Sequence, residues 1–257
     1  MSDTISHFIW YELMTSDVEA AERFYGEVVG WRVVASGQPG QDYRQWMVGD
    51  LAIGGLMAIP PDAAAHGMRP LWAGYLNVDD VDAAVEQLVA AGGSVHAPPW
   101  DIPGVGRMSM VADPQGAMFY LMVPIGEGPS PSHMPGKPGH GGWHELHTTD
   151  WRAALDFYVS QFGWRQSEAL DMGVMGTYLL FNTGGDAVGG MMNSPASFRP
   201  NWLFYFNVQD IDAANARVEA AGGEVLQAPH QVPGGNWVMR ARDPQGAMFA
   251  LVGSRSA

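Results

Sequence analysis

WYELMTSDVEAAERFYGEVVGW (residues 10–31) is answered by WHELHTTDWRAALDFYVSQFGW (143–164). Trp10 aligns with Trp143, Glu12 with Glu145, Asp17 with Asp150, Phe24-Tyr25 with Phe157-Tyr158 and Gly30-Trp31 with Gly163-Trp164. The offset is a constant 133 (143 − 10). Further on, PLWAGYLNVDDVDAAVEQLVAAGGSV (70–95) matches PNWLFYFNVQDIDAANARVEAAGGEV (200–225), and DPQGAMF stands at 113–119 and again at 243–249. This period is far longer than the ~20–50 residues of a solenoid unit, so the chain is a duplicated domain. Matching positions that differ become the clues to function.

Each copy has the same order of elements. A short alternating strand (8–14; 142–148) leads into a capped helix. Ser16-Asp17-Val18-Glu19 fits a capping box, with Ser16 as the cap. Val18, Ala21, Phe24 and Tyr25 share one helix face, and Gly30 stops the helix. The copy of this helix runs from Asp150 to Phe162. Three strand-like runs follow (31–36, 43–49, 53–59; copies near 164–169, 176–182, 187–193). The later part repeats the plan with a strand at 71–78, a helix at 80–91, and strands at 94–97, 106–112 and 117–123. Asp-Pro-Gln-Gly is a turn signal. The spacing predicts an α+β fold of two tandem domains, each a pair of βαβββ modules with sheets curling under their helices. The predicted boundaries are 1–123, a Pro/Gly-rich linker at 124–142, and 143–257. The linker composition argues against helix or ladder there.

Composition narrows the function. A net charge of −14 argues against nucleic acid or an anionic membrane as partner, since both require a cationic face. Without cysteine there is no disulfide, thiolate nucleophile or Cys metal site. The N-terminus lacks a signal-peptide pattern, and no apolar run approaches the ~18 residues of a membrane span. A cytoplasmic protein is expected, acting as a monomeric pseudo-dimer or a homodimer. Lys137 is the only lysine, a codon signature of a GC-rich bacterial genome.

Taken in order, the motifs W-[YH]-E-L, [TS]-x-D, F-Y, G-W, N-V-x-D-[VI]-D-A-A, A-A-G-G and D-P-Q-G-A-M-F resemble the vicinal oxygen chelate superfamily. That superfamily includes glyoxalase I, bleomycin-resistance proteins, extradiol dioxygenases and fosfomycin-resistance enzymes. The chain is most similar to its tandem, glyoxalase-like "hydroxylase" type. The resemblance implies a cup with a divalent metal on its floor, held by residues of several strands. Here those positions carry Trp10 and Trp143, Ala73 and Leu203, and Tyr120 and Ala250. Met57 and Met191 stand near the fourth. None of these is a good ligand for a hard cation. No cofactor is therefore expected.

Strand alternation then selects the residues sharing the cup face. These are Trp10, Glu12 and Met14; Trp143, Glu145 and His147; Tyr75 and Asn77; Tyr205 and Asn207; and Tyr120 with Met122. Trp10, Glu12, Tyr75, Asn77, Tyr120, Trp143, Tyr205 and Asn207 are the ligand-binding candidates. Glu145 and His147 are the catalytic candidates. A buried carboxylate here is either a structural acceptor or a general base. His147 replaces Met14 of the first copy and is either a core histidine or an acid–base group. A non-standard divalent metal at Glu145 and His147 is the alternative, with His140, His144 or His230 as third ligand. Arg240 and Arg242, replacing Met110 and Ala112, are either a solvated face or an anion contact. Gly54-Gly55 and Gly189-Gly190 lie inside strands and signal close backbone approach. The leading expectation is binding of a small aromatic or carbonyl-bearing metabolite, with metal-independent acid–base chemistry. The alternatives are a metal-dependent lyase, isomerase or dioxygenase, and a drug-sequestering protein.

Overall fold

The computed structural model describes residues 5–37, 42–126, 128–195 and 197–255. The first half runs β1 (Phe8–Thr15), α1 (Val18–Val28), β2 (Arg32–Ala35), β3 (Arg44–Val48), β4 (Leu51–Ala58), α2 (Pro61–Ala65), β5 (Leu71–Asn77), α3 (Val81–Ala90), β6 (Ser94–Ile102), β7 (Gly106–Ala112) and β8 (Met118–Pro124). The second half runs β9 (Gly141–Thr148), α4 (Trp151–Phe162), β10 (Arg165–Asp171), β11 (Thr177–Asn182), β12 (Ala187–Asn193), β13 (Asn201–Asp210), α5 (Ile211–Ala220), β14 (Glu224–Gln231), β15 (Trp237–Arg242) and β16 (Met248–Ser254). Each half makes one open, curled eight-stranded sheet. The strand orders are β2-β3-β4-β1-β5-β8-β7-β6 and β10-β11-β12-β9-β13-β16-β15-β14. This is the α+β plan of doubled βαβββ modules that the repeats predict.

Two local expectations are corrected. The cap of α1 is Asp17, not Ser16. Asp17 has extended backbone angles and its carboxylate accepts from Ala20 N at 2.9 Å. A charged acceptor at the positive end of the helix does the capping, while Glu19 turns outward to Arg44. Strand β6 continues past residue 97 through Pro98-Pro99 to Ile102, with a register shift between Ala97 and Trp100. It lies at a sheet edge, where a missing N–H breaks no ladder.

Compact packing divides the chain differently from the sheets. One unit holds residues through Ile9, 74–129 and 144–203; the other holds 10–73, 130–143 and 204 onward. In the first unit, Tyr158 stacks on Trp164 at 4.7 Å, Trp164 lies parallel to Phe181 at 4.4 Å, and Trp202 meets Tyr158 edge-on. In the second, Tyr25 is packed by Trp31, Trp46, Trp72 and Phe249. Removing a buried aromatic of this kind costs about 3–5 kcal/mol.

The repeated motifs meet inside each unit. Asp113 of D-P-Q-G accepts from Gln115 N and Ala117 N at 2.9 Å each, and from Tyr158 OH at 3.2 Å. Tyr158 in turn accepts from Trp202 Nε1. Asp243, Tyr25 and Trp72 repeat the arrangement, with Tyr25 OH 3.1 Å from the carboxylate. Burial raises the pKa of both carboxyl groups and, together with the facing carboxylate, raises both tyrosines well above their usual range. The F-Y and D-P-Q-G signatures are thus turn closure and core cross-links.

The segment read as a bare linker is anchored over 130–143. Gly141 N bonds Ser132 O, Met134 N bonds Gly141 O, and Gly139 N bonds Asn207 O. Ser132 and His140 are fully buried. Proline and glycine blocked a regular ladder, but the side chain of Asn207 supplies the missing partners.

Candidate functional site

Glu145 and His147 lie two residues apart on β9, and both are almost fully buried. Nε2 of His147 is 2.7 Å from Oε1 of Glu145. The two atoms are within ion-pair distance, the histidine carrying a charge only when protonated. Tyr178 of β11 donates to Glu145 Oε2 at 2.9 Å. Its ring crosses β12 at Gly190, the register partner of Glu145. A Cβ on Gly190 would overlap that ring, which is why the strand carries glycine there. On the other side, Nδ1 of His147 is 3.0 Å from Oγ of Ser194. The Phe198 ring lies 5.7 Å from the imidazole. The result is a polar row, Tyr178–Glu145–His147–Ser194. It runs from buried carboxylate and imidazole to a half-buried hydroxyl flanked by exposed Asn193 and Phe198. A carboxylate held beside an imidazole in a dry setting can receive and return a proton.

The first copy has the frame without the imidazole. Glu12 is buried and opposite Gly55, and a Cβ on Gly55 would meet Tyr43. Trp10 Nε1 donates to the Tyr43 hydroxyl at 2.9 Å. Backbone bonds Ile59 N to Thr15 O and Ser194 N to Thr148 O mark the same place in both copies. There the first copy has Met14 and Ile59, and the second has His147 and Ser194.

The other expected residues have varied settings. Tyr75 and Tyr120 are buried and stacked at 4.2 Å. Trp10 and Trp143 are half-buried, and Tyr205 is buried. Asn77 accepts from His7 N at 2.7 Å, extending the strand pairing. Asn207 was assigned to a ligand, but its amide serves the protein. Oδ1 accepts from Gly136 N, and Nδ2 donates to Met134 O and His140 O. Arg242 pairs with Glu224, its cross-strand neighbour. Tyr178 and Ser194 were missed by the sequence reading. The offset between copies drifts to 135 at Gly55 and Gly190, hiding the Tyr43–Tyr178 match. The paired glycines were the available signal, since a bare strand position implies a ring lying over it.

The positions that would hold the superfamily's metal do not fit one. Ala73, Leu203 and Ala250 are buried carbon, and the Tyr120 ring is stacked on Tyr75. Among the described residues no three His, Asp or Glu side chains form a cluster. His144 packs on Phe8 and bonds Val188 O, His140 contacts Pro131 O, and His230 contacts Ala228 O. Also among the described residues, no helix is long and apolar enough to cross a membrane.

The family model of the Glyoxalase/Bleomycin resistance protein/Dioxygenase superfamily matches residues 4–121 and again 138–251. The chain belongs to that superfamily. It is 35% identical to CFP32 of Mycobacterium tuberculosis over 95% of this chain and 93% of the relative. It is 33% identical to the anthracycline biosynthesis protein DnrV of Streptomyces peucetius, over 95% and 91%. The fold matches the Mn(II)-bound glyoxalase of Novosphingobium aromaticivorans with a TM-score of 0.69 at 16% identity, covering 98% of this chain and 83% of that one. One fold in this superfamily hosts several chemistries, so activity must be argued from side chains.

Proposed function

We propose that the second copy holds a small-molecule site whose chemistry is proton transfer by Glu145 and His147 without a metal. The carrying observation is the buried 2.7 Å contact between these two groups, with the carboxylate held by Tyr178. Tyr178 fixes one carboxylate oxygen and Ser194 engages the far ring nitrogen. The pair is therefore preorganised, as an acid–base group must be. The ligand class is an aromatic, carbonyl-bearing metabolite. Half-buried aromatic rings in the same elements and likeness to an anthracycline biosynthesis protein support that class.

The test is titration of purified protein with a hydroxyanthraquinone, followed by tryptophan fluorescence and calorimetry. Binding is expected at one equivalent, unaffected by a chelator. With α-tetralone, an aryl ketone that carries hydrogen on the carbon next to its carbonyl, deuterium exchange at that carbon, read in D2O by NMR, is expected to depend on His147. Binding without exchange would leave a sequestering protein, and chelator-sensitive exchange would leave a metal enzyme; either result overturns the reading.

A further inference from the structure

We propose that Ser194 is a nucleophile, acylated by activated esters with His147 as its base and Glu145 as the group that holds the base. A nucleophilic serine needs three things: a hydroxyl that a substrate can reach, a base within hydrogen-bond distance, and a third group that orients the base and carries its charge. Ser194 is half-buried at the end of β12, between exposed Asn193 and exposed Pro195. Its Oγ is 3.0 Å from His147 Nδ1. The opposite ring nitrogen is 2.7 Å from the buried Glu145 carboxylate, which Tyr178 fixes from behind. Negative charge at Nε2 favours the tautomer with its proton there. Nδ1 then presents a lone pair to the serine hydroxyl. Ser194 is thus the donor in that contact, which is the state of an alcohol poised for attack.

The duplication supplies an independent argument. At the two equivalent positions the first copy has Met14 and Ile59, an apolar pair. Both change together in the second copy, to two residues that touch each other. A histidine needed only for packing gives no reason for the neighbouring isoleucine to become serine.

In the step, Ser194 Oγ bonds to the ester carbonyl carbon as its proton passes to Nδ1. The resulting imidazolium faces the Glu145 carboxylate. The tetrahedral centre then collapses, the carbon–oxygen bond to the leaving alcohol breaks, and Nδ1 returns the proton to that alcohol. Water repeats the sequence on the acyl-serine. The net change is ester plus water to acid plus alcohol, with no redox partner.

The experiment uses the whole protein and a fluorophosphonate probe. Ser194 displaces fluoride, forming one oxygen–phosphorus bond. Intact-mass and peptide mass spectrometry are expected to show a single adduct, on Ser194. Heat-denatured protein should be labelled at least 20-fold less. Ser194→Ala, a near-isosteric change, should abolish the adduct with the circular dichroism unchanged. His147→Gln should slow labelling about 100-fold and Glu145→Gln about 10-fold. No adduct on Ser194 of the folded wild type, or equal labelling with and without His147, would overturn the proposal and leave Ser194 as a residue that merely positions the imidazole. The proposal shares His147 and Glu145 with the proposed ligand site but not its ligand. Labelling can succeed where anthraquinone titration fails, and the reverse.

Discussion

The two copies of the strand-opening motif differ at one corner. Both bury a glutamate, Glu12 or Glu145, opposite a glycine over which a tyrosine lies. Around that shared frame the first copy places Met14 and Ile59, and the second places His147 and Ser194. The frame is common to both copies, and the corner is where they differ. The glutamate alone is not the signal, because the apolar copy has it too. What distinguishes the second copy is an imidazole with a carboxylate on one nitrogen and a hydroxyl on the other.

The sharpest break of this comparison is Glu145→Gln against Glu12→Gln. The first should weaken ligand turnover by 10²–10⁴-fold, the range of a lost acid–base group, and the second by less than threefold. Equal losses in steady-state kinetics would make the copies equivalent and His147 a core residue. The glycines come next. Gly190→Ala and Gly55→Ala should each destabilise the fold by about 1–3 kcal/mol in urea melts, because a methyl group collides with Tyr178 or Tyr43. Only Gly190→Ala should also impair turnover, since Tyr178 holds Glu145.

The buried aspartates test the part that is the same in both copies. Burial raises both Asp113 and Asp243, so their ionisation favours unfolding. The stability of their neutral form is full below the unfolded carboxylate value of about 3.9 and is lost as pH rises through the raised folded values. Asp113→Asn and Asp243→Asn should flatten that loss to the same degree, as read by thermal melts from pH 4 upward. A flattening seen in one variant only would show that the two cross-links are not equivalent. The smallest effect belongs to Arg44. It joins Glu19, Glu22 and Asp42 in the first copy, whereas Leu179 occupies the matching position in the second. Arg44→Ala should cost about 0.5–1 kcal/mol at low salt and nothing measurable near 1 M.

Much of this protein was determined by local sequence. Periodicity, caps and turn residues act over a few positions, so the βαβββ plan and its duplication were legible from the repeats. The contact between Glu145 and His147 was legible too, because strand alternation puts residues two apart on one face. Ser16 was misread as a cap because choosing between adjacent acceptors depends on backbone angles. The tertiary structure decided what no spacing encodes. Tyr178 and Ser194 stand 33 and 47 residues from their partners, and contacts that distant are set by strand register. Asp113 meets Tyr158, and Asn207 holds the segment read as a linker, for the same reason. Buried polar groups must find partners wherever the fold brings them, and that search runs through space rather than along the chain.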